Sequence, residues 1–319
     1  MSRRPEPPAW VAVVTDSTAS LPDGVAERWG IGVVPLDVIV DGVEHVEGVD
    51  ITAPELLGAL TQGSRKVTTS QPPPAAFAAA YERAAAAGAR EIVSVHLSGE
   101  LSGTVRAARL AAASSPVPVQ VVDSRAVGMA LGFAVVEAAR FAALPEPAEP
   151  ASTTGRLAAA RSWWQDRHRV APVAPAAAEV ASRAHRTAES ARVWFLVDSL
   201  DHLRRGGRLS APAAALGTVL GLRPILTLSD GSVALLEKVR TRRAGRDRLV
   251  ALALADASGR PQARIAVHHL RQPEMAQALA DELVAALGDR LVEAVVSESS
   301  AVLAAHAGPG VLGIVVADA

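Results

Sequence analysis

The segment Glu91-Ile-Val-Ser-Val-His-Leu97 is followed directly by Ser98-Gly-Glu-Leu-Ser-Gly-Thr104. The first seven residues are mainly apolar and β-branched, which predicts a buried strand. The polar loop then caps a helix that continues through Ala113, and Val117–Val122 predicts a second buried strand. A strand, a glycine-containing loop, a helix and another strand in this order are typical of a parallel βαβ unit.

The same alternation extends on both sides of this unit. Trp10–Val14 predicts a strand, and a helix follows it over residues 21–29. Ile31–Val40 is a β-branched run that predicts one further strand, and Val127–Ala143 predicts a helix rich in small apolar residues. We therefore predict an N-terminal domain, residues 10–150, built on a parallel, doubly wound sheet of the α/β class.

The pattern changes after a proline-rich stretch, Leu144–Pro150, which predicts a surface connection. Asp230-Gly231 lies between two apolar alternating runs and gives the strongest hairpin signal in the chain. A hairpin within a sheet predicts a mixed or antiparallel arrangement, so residues 151–319 are expected to form a second α/β domain. Its predicted strands are Val193–Leu200, Ile225–Ser229, Ser232–Val239, Ala263–His269, Leu291–Val296 and Val311–Val316, with a helix over Pro273–Leu287.

Composition limits the classes of function. Half of the 319 residues are hydrophobic but only 3% are aromatic, so the core is expected to consist of closely packed small residues. The formal net charge of −1 gives no overall field that would attract nucleic acid. There is no cysteine, and the eight histidines show no metal-ligand spacing, so neither a metal nor a cofactor is predicted. No apolar run is long enough for a membrane span, and the first ten residues lack a signal-peptide pattern, which predicts a cytoplasmic protein.

Three polar clusters follow predicted strands of the N-terminal domain: Asp16-Ser17-Thr18, Ser98–Thr104 and Asp123-Ser124. Ligands of parallel α/β sheets bind beyond the carboxyl ends of the strands, so these clusters are candidate binding groups. They could equally be helix caps, and Asp16 is expected to be structural. Thr68-Thr69-Ser70 precedes a helix opened by prolines and could hold an anion such as a carboxylate.

Basic and imidazole groups occur in the C-terminal half. Arg204-Arg205-Gly206-Gly207-Arg208 places three cations around a turn, Lys238-Val239-Arg240 ends a predicted strand, and His306 precedes Gly308-Pro309-Gly310. Each could meet an acidic ligand, or could be a solvated helix end or a structural hydrogen-bonding group. No nucleophile elbow, phosphate-binding loop or pair of catalytic carboxylates stands out, which weakens an enzymatic interpretation.

Taken in order, these clusters resemble the DegV family of fatty-acid-binding proteins. The resemblance extends from about Val11 to the C-terminus, although each motif by itself is weakly specific. The motifs that carry it are Asp16-Ser17-Thr18, Thr69-Ser70-Gln71-Pro72, Leu101-Ser102-Gly103-Thr104, Val122-Asp123-Ser124, Leu203–Ser210, Lys238-Val239-Arg240 and His306–Gly310.

The resemblance implies one long-chain fatty acid bound between two domains, with no catalysis by the chain alone. It implies that the protein is the carrier half of a fatty acid kinase system that supplies phospholipid synthesis, with transient membrane contact among its expected interactions. Thr69 matches a carboxylate ligand of the family. The second ligand maps less directly, because the chain has Ser98-Gly99 where the family commonly has two serines. The residues implied for the carboxylate are Thr69, Ser98, Gly99, Ser102 and His306, and those implied for phosphate or kinase contact are Arg205, Arg208 and Arg240.

Three hypotheses of function follow from the sequence. The first is a fatty acid carrier that presents its ligand to a separate kinase. The second is a hydrolase or phosphotransferase that uses the Ser98–Thr104 loop and His306. The third is a regulatory protein that only senses a lipid. The missing catalytic motifs count against the second hypothesis, whereas nothing in the sequence separates the first from the third.

Overall fold

The computed structural model describes residues 11–61, 65–143, 175–209 and 222–319. The predicted connection at 144–150 and the predicted domain boundary at 150/151 lie outside these residues. The first half contains, in chain order, β1 (Val11–Asp16), α1 (Val25–Trp29), β2 (Gly32–Val34), β3 (Asp37–Val40), β4 (Val43–Val46), α2 (Ala53–Thr61), β5 (Val67–Ser70), α3 (Pro74–Ala86), β6 (Glu91–His96), α4 (Thr104–Ala112), β7 (Val119–Asp123) and α5 (Met129–Ala142).

The second half also alternates helices and strands. It contains α6 (Ala177–Ser190), β8 (Arg192–Leu196), α7 (Asp201–Arg205), β9 (Arg223–Ser229), β10 (Ser232–Val239), α8 (Arg242–Ser258), β11 (Ala263–His269), α9 (Pro273–Leu287), β12 (Leu291–Glu298), α10 (Ala301–Ala307) and β13 (Leu312–Asp318).

A parallel four-stranded sheet organises the first half, in the order β2-β1-β6-β7. Helices α3 and α4 cover one face of this sheet, where Phe77 and Tyr81 pack against Ile92. Helices α5 and α6 cover the other face, where Val93 and Val95 are fully buried. Helices on both faces of a parallel sheet define a doubly wound α/β arrangement, so this part of the prediction is confirmed.

The predicted single strand Ile31–Val40 is wrong. The run divides into β2 and β3, which belong to different sheets: β3 pairs antiparallel with both β4 and β5. The break falls at Pro35-Leu36. Proline has no backbone N–H to donate to a neighbouring strand. The N–H of the next residue, Leu36, donates to Ser17 Oγ at 3.0 Å instead of to a strand. The three-stranded sheet that results places the end of β5 beside the second half of the chain.

A six-stranded mixed sheet organises the second half, in the order β10-β9-β8-β13-β11-β12. All of its strand pairs are antiparallel except β11 with β12. Asp230 and Gly231 both have positive φ at the tip of the β9–β10 hairpin, as the sequence predicts for a two-residue turn. Helices α8 and α9 cover the outer face of the sheet. The sequence analysis did not predict α8, whose first turn is arginine-rich and is capped by Thr241.

Helix α5 lies between the two large sheets and is buried along almost its whole length. It packs against Val93 and Val95 on one side and against Ala266 and Val315 on the other. Its one acidic residue, Glu137, is buried and accepts hydrogen bonds from Arg183 and Arg264, each at 2.8 Å. Burial alone would raise the pKa of Glu137, but these two arginines lower it, so the residue carries a paired charge between the halves.

Helix α6 packs against α5 in the same layer. Its buried face, which includes Val180 and Ala184, shares a core with β6 of the first half. Residues that the predicted domain boundary assigns to the second domain thus cover the sheet of the first. The two halves share a helical layer, and this layer fixes the position of one sheet relative to the other.

We predict that Gly128→Ala destabilises the protein by about 2–3 kcal/mol. Gly128 directly precedes α5 with φ of +59°, and an added Cβ would lie 2.8 Å from His268 Nε2. Both strain at a backbone conformation that only glycine adopts readily and a collision across the two halves would result. Gly288 has a similar backbone conformation but open space around it, so Gly288→Ala serves as the control for strain alone, with an expected cost of about 1 kcal/mol. Equal losses in urea unfolding would show that the contact with His268 does not matter.

Candidate functional site

An apolar cavity lies between the two halves of the chain. It encloses about 930 Å³ of space not occupied by protein atoms, its opening included. The first half contributes the loops that follow β5 and β6 and the start of α5, and the second half contributes β8, β10, β11 and α10. The apolar lining consists of Leu36, Leu97, Leu101, Val127, Val193, Phe195, Leu203, Val233, Val302, Leu303, Ala307 and Val311.

One end of the cavity is polar and is formed by both halves. Thr69 Oγ1, from β5, lies 2.8 Å from Nε2 of His306, from α10. Gln71, Ser102 and Arg208 line the same cavity. The threonine hydroxyl and the imidazole are thus joined by a hydrogen bond, although 237 positions separate them in the sequence.

His306 is held in its neutral form. Burial, followed by the positive charge of Arg208, lowers its pKa to about 4. A neutral imidazole has one N–H donor and one acceptor nitrogen, so it can pass a hydrogen bond to Thr69 without adding a charge. The ring packs so closely on Gly206 that a Cβ there would collide with Nδ1. This contact explains why the arginine-rich turn contains a glycine at that position.

Arg208 connects the turn to the Leu101–Thr104 motif. Its Nε donates to the Leu101 carbonyl at 3.1 Å, and its Nη1 donates to the Gly206 carbonyl. Ser102 Oγ is 2.8 Å from Thr104 Oγ1 and accepts the Thr104 N–H, so this serine caps α4 while lining the cavity.

Ser98 and Gly99 lie outside the cavity lining. Ser98 is fully buried, its Oγ accepts the Glu100 N–H at 3.3 Å, and it lies beneath Gly231 at the hairpin tip. The Gly99 N–H donates to both carboxylate oxygens of Asp123, at 3.1 and 3.2 Å. The structure thus brings Thr69, Ser102 and His306 to the cavity, whereas Ser98 and Gly99 hold the loop that carries Ser102.

A basic chamber adjoins the polar end of the cavity. The two spaces share Thr69, Arg208 and His306 as a common wall. The chamber encloses about 1570 Å³, its mouth included, and its cationic lining residues are Arg65, Lys66, Arg205 and Arg208. Among the described residues no Asp or Glu lines it, although Asp41 lies 3.7 Å from Arg65.

The sequence analysis predicted two of these four cations, Arg205 and Arg208, as groups facing phosphate or a kinase. It did not predict Arg65 and Lys66, because these residues precede β5 and belong to none of the motifs in the sequence. Arg205 is exposed and lies 3.4 Å from His202 Nδ1. Arg240 is also exposed, at the end of β10, but lies outside the lining of the chamber.

A serine–histidine–aspartate arrangement exists elsewhere, in the first half. Ser94 Oγ is 2.6 Å from His96 Nε2, and His96 Nδ1 is 3.0 Å from Asp16 Oδ2. All three residues are fully buried, and Ser94 also accepts the Tyr81 hydroxyl. Asp16 further accepts the Thr18 and Leu97 N–H groups, so it ties two loops together as the sequence predicts.

The far end of the cavity contains Gly128, His268 and Ser299. His268 is buried, and its Nε2 accepts the Met129 N–H at 2.8 Å, at the start of α5. Burial lowers the pKa of His268 to about 4, so the ring is neutral and carries its proton on Nδ1. This contact closes the cavity opposite Thr69 and His306.

The fold and this site define an α/β protein with a largely apolar cavity between its two halves and polar groups at one end of that cavity. The chain belongs to the DegV family: the family model, described as "Uncharacterised protein, DegV family", matches residues 10–153 and 175–319. Among its relatives is a DegV domain-containing protein of Streptomyces coelicolor, 44% identical over 311 residues that make up 97% of this chain and 98% of that protein. A DegV domain-containing protein of Mycobacterium tuberculosis is 36% identical over 96% of each chain.

Solved structures of similar proteins share the fold. A DegV family protein from Thermus thermophilus, described by its fatty acid binding, is 32% identical and matches with a TM-score of 0.78 over 97% of this chain and 100% of its own. DegV of Bacillus subtilis, described as a fatty acid binding protein, is 29% identical with a TM-score of 0.79 over 98% of this chain and 100% of its own.

Two further observations concern metals and membranes. In the described ranges, no three His, Asp or Glu side chains come close enough together to hold a metal ion. None of the helices in that part of the chain combines the length and apolarity needed to cross a bilayer.

We predict that stability falls as the pH is lowered from 7 to 5. The unfolded chain binds a proton at His268 below about pH 6.5, whereas the folded chain does so only near the lowered pKa of about 4. Protons therefore favour unfolding between these values, and at pH 5 this one residue costs about 2 kcal/mol. His268→Gln removes this contribution and is expected to reduce the loss of stability between pH 7 and pH 5 by about 2 kcal/mol in urea unfolding, while His306, whose pKa is also lowered to about 4, keeps part of the dependence. His185→Gln, at an exposed position, is the control and should leave the slope unchanged. Equal slopes in all three proteins would contradict the buried neutral state.

Proposed function

We propose that this protein binds one long-chain fatty acid in the cavity, with the carboxylate at Thr69 and His306. The observation that carries the proposal is the hydrogen bond between these residues at an end of the largely apolar cavity that also holds Arg208. Relatives of the same fold that are described as fatty acid binding give the class of ligand.

The lining suits an acyl chain on energetic grounds. Burying a dozen methylene groups contributes on the order of 10 kcal/mol, at about 0.8 kcal/mol each, before the costs of ordering the ligand. The hydrogen bonds to the carboxylate add about 1.5–3 kcal/mol each and fix the orientation of the ligand. Chain burial thus provides most of the affinity, and the polar end decides which way the acid faces.

The polar end also suits a carboxylate electrostatically. The Thr69 hydroxyl can donate to the ligand while it accepts the Nε2–H of neutral His306. Arg208 supplies a fixed positive charge in the same wall, and Ser102 supplies a second hydroxyl at the start of α4. In this arrangement Ser98 and Gly99 act indirectly, because their own hydrogen bonds hold the loop that positions Ser102.

We further propose that the carboxylate is presented through the basic chamber to a separate fatty acid kinase, and that the chain itself is the non-catalytic component. With the carboxylate at Thr69 and His306, Arg208 lies in the wall between the two spaces and Arg205 lines the chamber beyond it. An arginine fork suits the phosphate of an acyl phosphate or the acidic groups of a kinase. Arg65 and Lys66, which directly precede β5, add two further positive charges to the lining of the chamber. The Ser98–Thr104 loop offers no activated nucleophile, because Ser102 Oγ bonds to Thr104 rather than to an imidazole.

We predict that the purified protein carries or takes up one fatty acid such as palmitate or oleate per chain, and that Thr69→Val weakens this binding about 10- to 100-fold. The substitution nearly preserves volume and removes one hydrogen bond to a charged group. Native mass spectrometry with lipid extraction gives the stoichiometry, and titration with palmitate gives the affinity.

The control is Thr68→Val, because Thr68 is exposed on the same strand and lines the chamber but not the cavity. It should bind palmitate as the unchanged protein does. Extraction that yields no acyl species, together with no uptake of added palmitate or oleate, would refute the proposed ligand. Equal affinity in the two variants would move the carboxylate away from Thr69.

We predict that Arg205→Ala lowers kinase-coupled formation of acyl phosphate at least tenfold while palmitate affinity changes less than twofold. Arg205 lines the chamber but not the cavity, so it can act on the phosphoryl step or on docking without contacting the acyl chain. Arg109→Ala, at an exposed position on α4, is the control.

Arg240→Ala, measured alongside, tests whether the kinase-facing surface extends beyond the chamber. Acyl phosphate formation without any kinase would refute the carrier role, and equal losses of turnover and binding would make Arg205 a folding residue. Normal turnover would favour a lipid-sensing role or a different docking face.

A further inference from the structure

A glycine on β13 interrupts the row of side chains that the mixed sheet presents to the cavity. Gly313 pairs directly with Phe195 of β8 on one side and with His268 of β11 on the other. Residues that pair directly in a sheet point to the same face, and Phe195 and His268 both line the cavity. A side chain at Gly313 would therefore point towards the cavity, between these two rings.

The alternation of side chains along β13 gives the same orientation. Val311, two residues before Gly313, lines the cavity, and Val315, two residues after it, packs in the core that contains α5. Leu312 and Ile314 point to the other face of the sheet, into the core beneath α8 and α9. Gly313 thus lies where the wall of the cavity meets the α5 layer, towards the end of the cavity opposite its polar groups.

Backbone conformation does not explain this glycine. Gly313 lacks a positive φ, and a glycine inside a strand weakens that strand, so the absent side chain needs another reason. An added Cβ would lie 3.3 Å from Phe195 Cβ, 3.5 Å from the Trp194 carbonyl oxygen and 3.7 Å from His268 Cβ, all of them atoms of the neighbouring strands. No ring atom of Phe195 or His268 lies closer than these, so neither ring covers Gly313.

We propose that Gly313 keeps the far end of the cavity open to the last methylene groups of a long acyl chain, and so sets the length of acid that binds. The proposal rests on the proposed fatty acid site and adds which acids that site selects. A larger side chain at this position would occupy the space between the two rings, and the end of a long chain would no longer be buried there. Each methylene group excluded costs about fourfold in affinity, which is equivalent to about 0.8 kcal/mol.

The test compares stearate with myristate, which is four methylene groups shorter, by titration. The unchanged protein is expected to bind stearate more tightly than myristate. Gly313→Val should lower the ratio of the two affinities about tenfold or more, while the affinity for myristate changes less than about threefold. Gly313→Ala adds a single carbon that the neighbouring atoms can accommodate by small shifts, so it keeps the test available if the valine variant does not fold. It should lower the ratio about two- to fourfold.

Ala317→Val is the matched control, because Ala317 lies on the same strand and the same face, is fully buried in the core and does not line the cavity. It adds bulk to β13 and should leave the ratio unchanged, and urea unfolding checks that each variant is folded. If stearate binds but the ratio is the same in the unchanged protein and in both Gly313 variants, the role of Gly313 is refuted and the fatty acid site stands. An equal fall of the ratio in Ala317→Val would refute it too, because altered packing of the sheet would then be the cause. Failure of both acids to bind the unchanged protein would refute the fatty acid site itself.

Discussion

The packing of α5 between two sheets is the constraint on which the rest of the structure depends. A helix buried on opposite faces fixes both sheets at once, and the small residues of α5 let them approach it closely. Where the helix starts, Gly128 touches His268, and farther along the paired charge of Glu137 joins the halves through Arg264. The cavity exists because the two sheets, held in this way by a shared layer, leave space beyond the start of α5.

The cavity and the basic chamber separate two physical tasks. In the proposed function the largely apolar cavity provides affinity through burial, and the wide, cationic chamber suits an anion that remains hydrated. Neutral His306 lies at the boundary, where a protonated ring would bring a third positive charge close to Arg208 and Arg205. A low pKa at this position lets the imidazole direct a hydrogen bond while the arginines carry the charge.

The sequence was sufficient where local and tertiary preferences agree. Alternating apolar runs and glycine-containing turns predicted the parallel sheet and the β9–β10 hairpin. The ordered motifs indicated Thr69, Ser102 and His306, which line the cavity, together with Ser98 and Gly99, which do not. The sequence was not sufficient where a tertiary contact decides the local structure. The β-branched run is divided at Pro35, because the following N–H, that of Leu36, donates to Ser17 rather than to a neighbouring strand. Arg65 and Lys66 reach the chamber only because β5 packs beside α10, and the sequence around these residues contains no pattern that indicates this packing.

The bond between Thr69 and His306 has a consequence for the whole molecule, because its partners come from different halves of the chain. A ligand that contacts both residues adds its binding free energy to the association of those halves, by an amount that grows with the logarithm of ligand concentration. The filled protein is then harder to open, and so harder to digest, than the empty one. Such a ligand stabilises the fold, so the lifetime of the protein in a cell depends on how much ligand that cell supplies.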